Sequence, residues 1–235
     1  MPPPVFDTVI VNGRLVTPAG LVGAELGIRA GKIAAIGQLP HPPGATILDA
    51  QGHTVLPGLV DPHTHPGNYR SFEEEIASET LSAAAGGVTT LIGTVKSTRL
   101  GSPYKPYTDS DDVVSYHKVF PPAVAAIQRS ASVDVALTPI IMSDEHAREI
   151  PEYRREHGIT SFKFFVVGHA PTPWSRRIGM PVVVDEGTIF LGLRQVAAVG
   201  GLAMIHAENR QAGRILHEDL KASGRGDLAA WEAGS

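Results

Sequence analysis

His63 and His65, in the run Gly58-Leu59-Val60-Asp61-Pro62-His63-Thr64-His65, are the pair of residues best placed to do chemistry together. The apolar stretch before them reads as a strand. Successive side chains of a strand point to opposite faces, so residues two apart share a face, and two imidazoles at that spacing can grip one metal ion. A histidine-x-histidine on its own is a weak signal. Two further segments strengthen it. Lys163 lies inside Thr160-Ser161-Phe162-Lys163-Phe164-Phe165-Val166-Val167, and His206 ends the apolar run Leu202-Ala203-Met204-Ile205.

Lys163 has two readings. A buried ammonium without a partner is costly, and burial lowers its pKa toward the neutral amine. A neutral amine can take up carbon dioxide as a carbamate, whose two oxygens are able to bridge two metal ions. Paired metals polarise a carbonyl and generate hydroxide at neutral pH. The plainer reading is a lysine that snorkels or pairs at a strand end. His206 is either a neutral imidazole ligand, with Glu208 or Asn209 behind it as hydrogen-bond partners, or a satisfied core histidine. The three segments support one another because each places a ligand at the same face of one sheet.

Other residues carry less weight. His41, His53, His117, His146, His157 and His217 read as loop or exposed helix residues. His169 reads as a loop residue able to line a pocket, and Arg176-Arg177 as a solvated pair that could meet an anionic substrate. Gly86-Gly87 and Gly200-Gly201 resemble helix C-caps, since no Gly-rich segment opens a helix with Lys-Ser/Thr. No serine stands in a nucleophile-elbow context with histidine and aspartate partners.

The elements that must position these residues fall into two parts. Residues 1–57 read as short strands and turns forming a small β-sandwich module: 5–11, 14–17, 26–29, 32–36, 47–48 and 54–56. Asn12-Gly13 and Ala30-Gly31 are the expected hairpin turns. From 58 to 235 strands alternate with helices. Strands are expected at 59–61, 88–92, 133–142, 161–167 and 202–206. Helices are expected at 72–85 with Ser71 as N-cap, 111–129 with a kink at Pro121-Pro122, 144–157, 186–199, 211–222 and 228–233. Continuous apolar strands between helices imply a parallel α/β sheet. Five such units fit either an open doubly wound sheet or part of a (β/α)8 barrel. The ligands at the C-terminal ends of strands one, four and five favour the barrel, whose site is built there and whose full length is roughly 250 residues.

Composition bounds the rest. Of 235 residues 43% are hydrophobic, enough for a sizeable core, and the net charge of −4 with mixed signs gives no basic surface for nucleic acid or anionic lipid. The absence of cysteine excludes disulfides and thiolate metal sites and fits a reducing, cytoplasmic setting. The opening Met-Pro-Pro-Pro-Val-Phe-Asp has no signal-peptide pattern, and no apolar run approaches a membrane span.

The leader strands, Gly58–His65, Ala84-Ala85-Gly86-Gly87-Val88-Thr89-Thr90, Thr160–Lys163 and His206-Ala207-Glu208-Asn209 together resemble the cyclic amidohydrolases of the amidohydrolase superfamily, the dihydropyrimidinase/hydantoinase, allantoinase and dihydroorotase group. The likeness runs over nearly the whole chain. It implies a TIM-type (β/α)8 barrel cut short after about five βα units. It also implies two divalent metal ions, often zinc, and cleavage of the C–N bond of a cyclic amide by metal-activated hydroxide. His63 and His65 would hold the more buried ion, Lys163 as its carbon dioxide-derived carbamate would bridge, and His206 would hold the second ion. The family's remaining metal histidine and its aspartate, a metal ligand and general base, are expected beyond Ser235, so no catalytic residue is expected within the chain. Gly67 stands where dihydroorotases usually carry arginine, and Gly168 where hydantoinases usually carry tyrosine, so the resemblance does not name the ring. The expected partners are a small cyclic amide and either further copies of the chain or a complementing C-terminal chain. Competing readings are a non-catalytic scaffold relative, one subunit of a split enzyme, and a mononuclear deaminase-like member that has no need for Lys163.

Overall fold

Strands β1 (Thr8–Val11) and β2 (Arg14–Thr17) flank Asn12-Gly13 but do not pair with each other. β1 lies between β4 (Glu25–Arg29) and β6 (Thr46–Asp49), with β5 (Lys32–Gly37) on the far side of β4. β2 lies between β3 (Gly20–Gly23) and β7 (Thr54–Val55). The expected hairpin is therefore a corner at which the chain changes sheets. Its backbone groups bond to a later segment: Gly52 N–H donates to Asn12 O at 2.7 Å and Arg14 N–H to His53 O at 3.0 Å. Gly13 is needed because a Cβ there would lie 2.8 Å from the Val55 side chain. Ala30-Gly31 is the hairpin expected, with both residues at positive φ (49° and 71°) between paired Arg29 and Lys32, the geometry of a two-residue type I′ turn. Strand β3 went unread because glycine occupies both its ends, and glycine is depleted in strands. Phe6, Val9 and Val11 form the core here, joined by Ala35 and Leu39.

The computed structural model describes residues 6–68, 70–97, 114–166, 184–207 and 209–233. The expectations placed on 111–113, Val167, Gly168, His169, Arg176, Arg177 and Glu208 lie outside the described residues. Two compact units divide at residue 58.

The second unit runs β8 (Leu59–Thr64), α1 (Phe72–Ala85), β9 (Val88–Val95), α2 (Phe120–Ser130), β10 (Asp134–Pro139), α3 (Asp144–His157), β11 (Ser161–Val166), α4 (Glu186–Ala198), β12 (Leu202–Ala207), α5 (Arg210–Ala222) and α6 (Leu228–Ala233). It is an α/β arrangement. β8, β9 and β10 pair in parallel, as do β11 and β12. The bridge between Ile140 and Lys163, with Ile141 N–H donating to Lys163 O at 2.8 Å, carries the row from β10 to β11. Strand order thus follows chain order throughout, without the reversal that marks a doubly wound sheet.

Local chemistry explains the helices. Ser71 and Glu74 make a reciprocal capping box at the start of α1. Ser143 caps α3, which ends at Gly158 in the left-handed conformation (φ 69°). Alternation along β11 turns fully buried Phe162 and Phe164 toward a core with Ile150, Tyr153, Ile189 and Val196, and leaves Lys163 and Phe165 for the opposite face.

Two expectations are corrected. The helix expected from 111 starts at Phe120, and Pro121-Pro122 stand in its first turn instead of kinking it. First-turn N–H groups lack helical partners anyway, so proline is tolerated there. Residues 114–119 pack instead along α3, where the buried Tyr116 hydroxyl sits 2.9 Å from Val95 O and 2.8 Å from Ile140 O and accepts Ile140 N–H at 2.9 Å. His146 is not exposed. It is fully buried, with Nε2–H donating to Val114 O at 3.0 Å and Nδ1 accepting Met142 N–H at 3.3 Å.

Candidate metal centre

β8 carries His63 near its end, and His65 follows one residue past it. Their ring centroids are 4.7 Å apart, which is the shared face that the two-residue spacing demands. Asp61 fixes the turn of the backbone here by accepting His63 N–H at 3.1 Å. Lys163, one hundred residues later, brings Nζ to 3.3 Å from His63 Nε2. It sits at the third residue of β11, half a strand deeper than a strand-end position, and is 3% exposed. The parallel register sets Phe165 beside His206, with ring centroids 5.3 Å apart, and Lys163 Nζ stands 5.2 Å from the Phe165 ring. The Nε2 atom of His206 is shut off from solvent. All four residues singled out in the sequence therefore belong to one neighbourhood on one face of the parallel strands.

The electrostatics of this neighbourhood are one-sided. Burial, and then the charge of Lys163, hold the His63 imidazole below its ordinary pKa; His206 adds to this and Asp61 opposes it. His65 is held down by burial first, then by His63, Lys163, Lys96 and His206. Burial lowers Lys163. Lys96, half-buried at the end of β9, is lowered by burial against the pull of Glu75. Deprotonated imidazoles and a lysine driven toward its neutral amine are the forms that donate lone pairs. Imidazole nitrogens beside an amine driven toward its neutral form are a donor set that fits metal ions.

Sequence reasoning missed the residue that anchors the loop after His65. Glu75, in the first turn of α1, is 7% exposed. Its carboxylate accepts backbone N–H groups from Gly67 at 2.6 Å, Asn68 at 2.9 Å and Arg70 at 2.8 Å. The signal was present in the helical period, because Glu75 lies three residues after buried Phe72 and beside buried Ile76. Phe165 and Lys96 were missed as neighbours of the histidines, since both follow only from strand register.

No family model matches the chain. Curated relatives do. An L-hydantoinase of Paenarthrobacter aurescens is 32% identical over 97% of this chain and 46% of its own length. A D-hydantoinase of Rhizobium radiobacter is 33% identical over 94% and 44%. An allantoinase of Bacillus licheniformis is 33% identical over 96% and 47%. Among solved structures, a D-hydantoinase superposes with a TM-score of 0.69 at 30% identity, over 95% of this chain and 45% of its own. The L-hydantoinase (dihydropyrimidinase) of Arthrobacter aurescens gives 0.68 at 30% identity, over 98% and 47%. The chain spans about half the length of the relatives it matches.

Proposed function

Over the length it spans the chain belongs to the cyclic amidohydrolases, the group of the hydantoinases and allantoinases, and on that footing we propose that its strand-end residues serve a binuclear metal centre for hydrolysing the C–N bond of a cyclic amide. The observation that carries this reading is the buried Lys163 amine, 3.3 Å from His63 Nε2 and on the same face as His65 and His206. Burying a charged amine at that place is costly, and a change of charge relieves the cost. Loss of one proton turns the ammonium into the neutral amine; its addition to carbon dioxide forms an N–C bond and releases a second proton, so that a buried cation becomes an anion amid imidazoles.

In this reading His63, His65, Lys163 as its carbamate and His206 would hold the two ions, with zinc as the ion that suits imidazole and oxygen donors. With both ions bound, the chemistry supplied is polarisation of a ring carbonyl and acidification of water to a nucleophile at neutral pH. Asp61 and Glu75 act on the protein side by fixing the backbone on either side of the histidine pair, and Phe165 shields one flank of Lys163. No residue of this chain is assigned the proton-transfer step.

The same footing extends to architecture. Five parallel strands in chain order, with the candidate ligands gathered on one face, support a (β/α)8 barrel preceded by a β-sandwich module. The outer strands β8 and β12 expose Leu59 (58%), Val60 (57%), Leu202 (63%) and Ile205 (49%). Further strands, such as those of a complementing chain, would cover these edges.

The test is metal content. Protein prepared with zinc and bicarbonate holds about two ions at the strand ends; Lys163→Ala loses both, and acetate or propionate, filling the space of the carbamate, restores them. Equal metal content in wild type and Lys163→Ala would remove the bridge assignment.

A further inference from the structure

A second concentration of imidazole lies at the far end of α3. Residues 114–117 track that helix from its first turn to its last. Val114 O accepts from His146, Ser115 Oγ donates to Glu149 at 2.8 Å, and His117 meets the last turn. Fourteen residues at 1.5 Å each make α3 about 20 Å long. Its first turn follows the C-terminal end of β10 and its last turn leads to the start of β11, so this cluster lies at the opposite end of the strands from His63 and His65.

His117 uses its two nitrogens differently. Nε2 stands 3.4 Å from Glu152 Oε2, while Nδ1 stands 3.0 Å from His157 Nε2 and 3.7 Å from Glu156 Oε2. A carboxylate at ion-pair distance on the Nε2 side favours the tautomer with its proton on Nε2, which leaves a lone pair on Nδ1. That is the arrangement by which a carboxylate orients a metal-ligating histidine. The facing His157 nitrogen and the Glu156 oxygen complete a set in which one ligand atom from each residue lies within 4.8 Å of the others. The rings are held in place, His117 against Tyr153 at 5.0 Å and His157 against Phe120 at 4.9 Å between centroids. Arg155 occupies the other oxygen of Glu156 at 2.7 Å, which leaves Oε2 toward the histidines. The C-terminal end of a helix adds its negative partial charge.

We propose that His117, Glu156 and His157 bind one divalent transition-metal ion of the zinc class, separate from the strand-end centre, with Glu152 as the residue that orients His117. Two imidazoles and one carboxylate leave a fourth position for water. The ion ties the segment before α2 to the end of α3 across forty residues of sequence and stabilises that pairing by mass action.

Zinc titration of the full chain carrying His63→Ala, His65→Ala and His206→Ala isolates this site from the other. That variant retains about one ion per chain, and adding His157→Gln weakens binding by more than about 100-fold, beyond the 10–100-fold typical of an orienting residue. In the triple variant, zinc raises the thermal midpoint only while His157 is present. No zinc bound by the triple variant with its far-UV circular dichroism intact would overturn the proposal, as would unchanged affinity after His157→Gln. Should the triple variant not fold, His157→Gln alone in the wild-type chain lowers zinc content by about one ion, and unchanged content overturns the proposal.

Discussion

The two imidazole clusters of this molecule differ in their charge before any metal is considered. At the strand ends burial comes first in lowering His63, His65, Lys163 and Lys96, and the charge of Lys163 adds to it at both histidines. At the end of α3, His117 and His157 sit among Glu152 and Glu156. In the proposed centre, conversion of Lys163 to a carbamate would add an anion beside His63 to balance two divalent ions. A cluster with its own carboxylates needs nothing added. The first arrangement suits a centre whose assembly depends on carbon dioxide, the second a simple ion site.

This contrast can be broken at several points. The largest effect is expected from replacing both His63 and His65 by alanine: strand-end loading falls to nothing while the α3 cluster keeps its ion, as read by elemental analysis with and without bicarbonate. Loss of both classes of ion together would show that the clusters are not independent. Next comes Glu75→Ala. Removing a buried carboxylate that accepts three backbone N–H groups costs about 2–4 kcal/mol, measured by urea unfolding of the metal-free chain, and weakens zinc binding at the strand ends but not at α3. A cost within experimental error would mean the loop after His65 needs no anchor. Glu152→Gln removes the anion that orients His117 and weakens the α3 site about tenfold, with no change at the strand ends.

The smallest effect is a pH slope. His63, His65, His146 and His157 all have folded-state pKa values below their ordinary range, with burial the first cause in each. The unfolded chain then binds more protons than the folded one as pH falls through the ordinary histidine range near 6.5, so stability drops on acidification. Thermal midpoints of the metal-free chain should fall from pH 8 to pH 5, and His146→Gln should flatten part of that slope. A midpoint that rises on acidification would contradict the lowered pKa values of these imidazoles.

The legibility of the chain follows the range of the forces involved. Helices α1 and α3 could be read to the residue because their caps and apolar periods are local, and the face shared by His63 and His65 follows from strand alternation alone. The depth of Lys163 was legible from its apolar neighbours. What escaped was set at a distance. Asn12-Gly13 carries a hairpin signature, yet its backbone partners lie at residues 50–53. Pro121-Pro122 looked like a kink because nothing nearby shows that Tyr116 is pinned between Val95 and Ile140. His146 looked exposed on a charged helix, and its burial comes from Val114 lying across it. His117 and His157, read separately as surface residues, meet only because 114–119 tracks along α3.

We propose that Lys163 bridges the strand-end centre. The direct measurement is carbon-13 NMR of the chain loaded with zinc and 13C-bicarbonate. A carbamate carbon resonance in the wild type that vanishes in Lys163→Ala is the predicted result; a zinc-loaded wild type with no such resonance, or one that persists in Lys163→Ala, would contradict it.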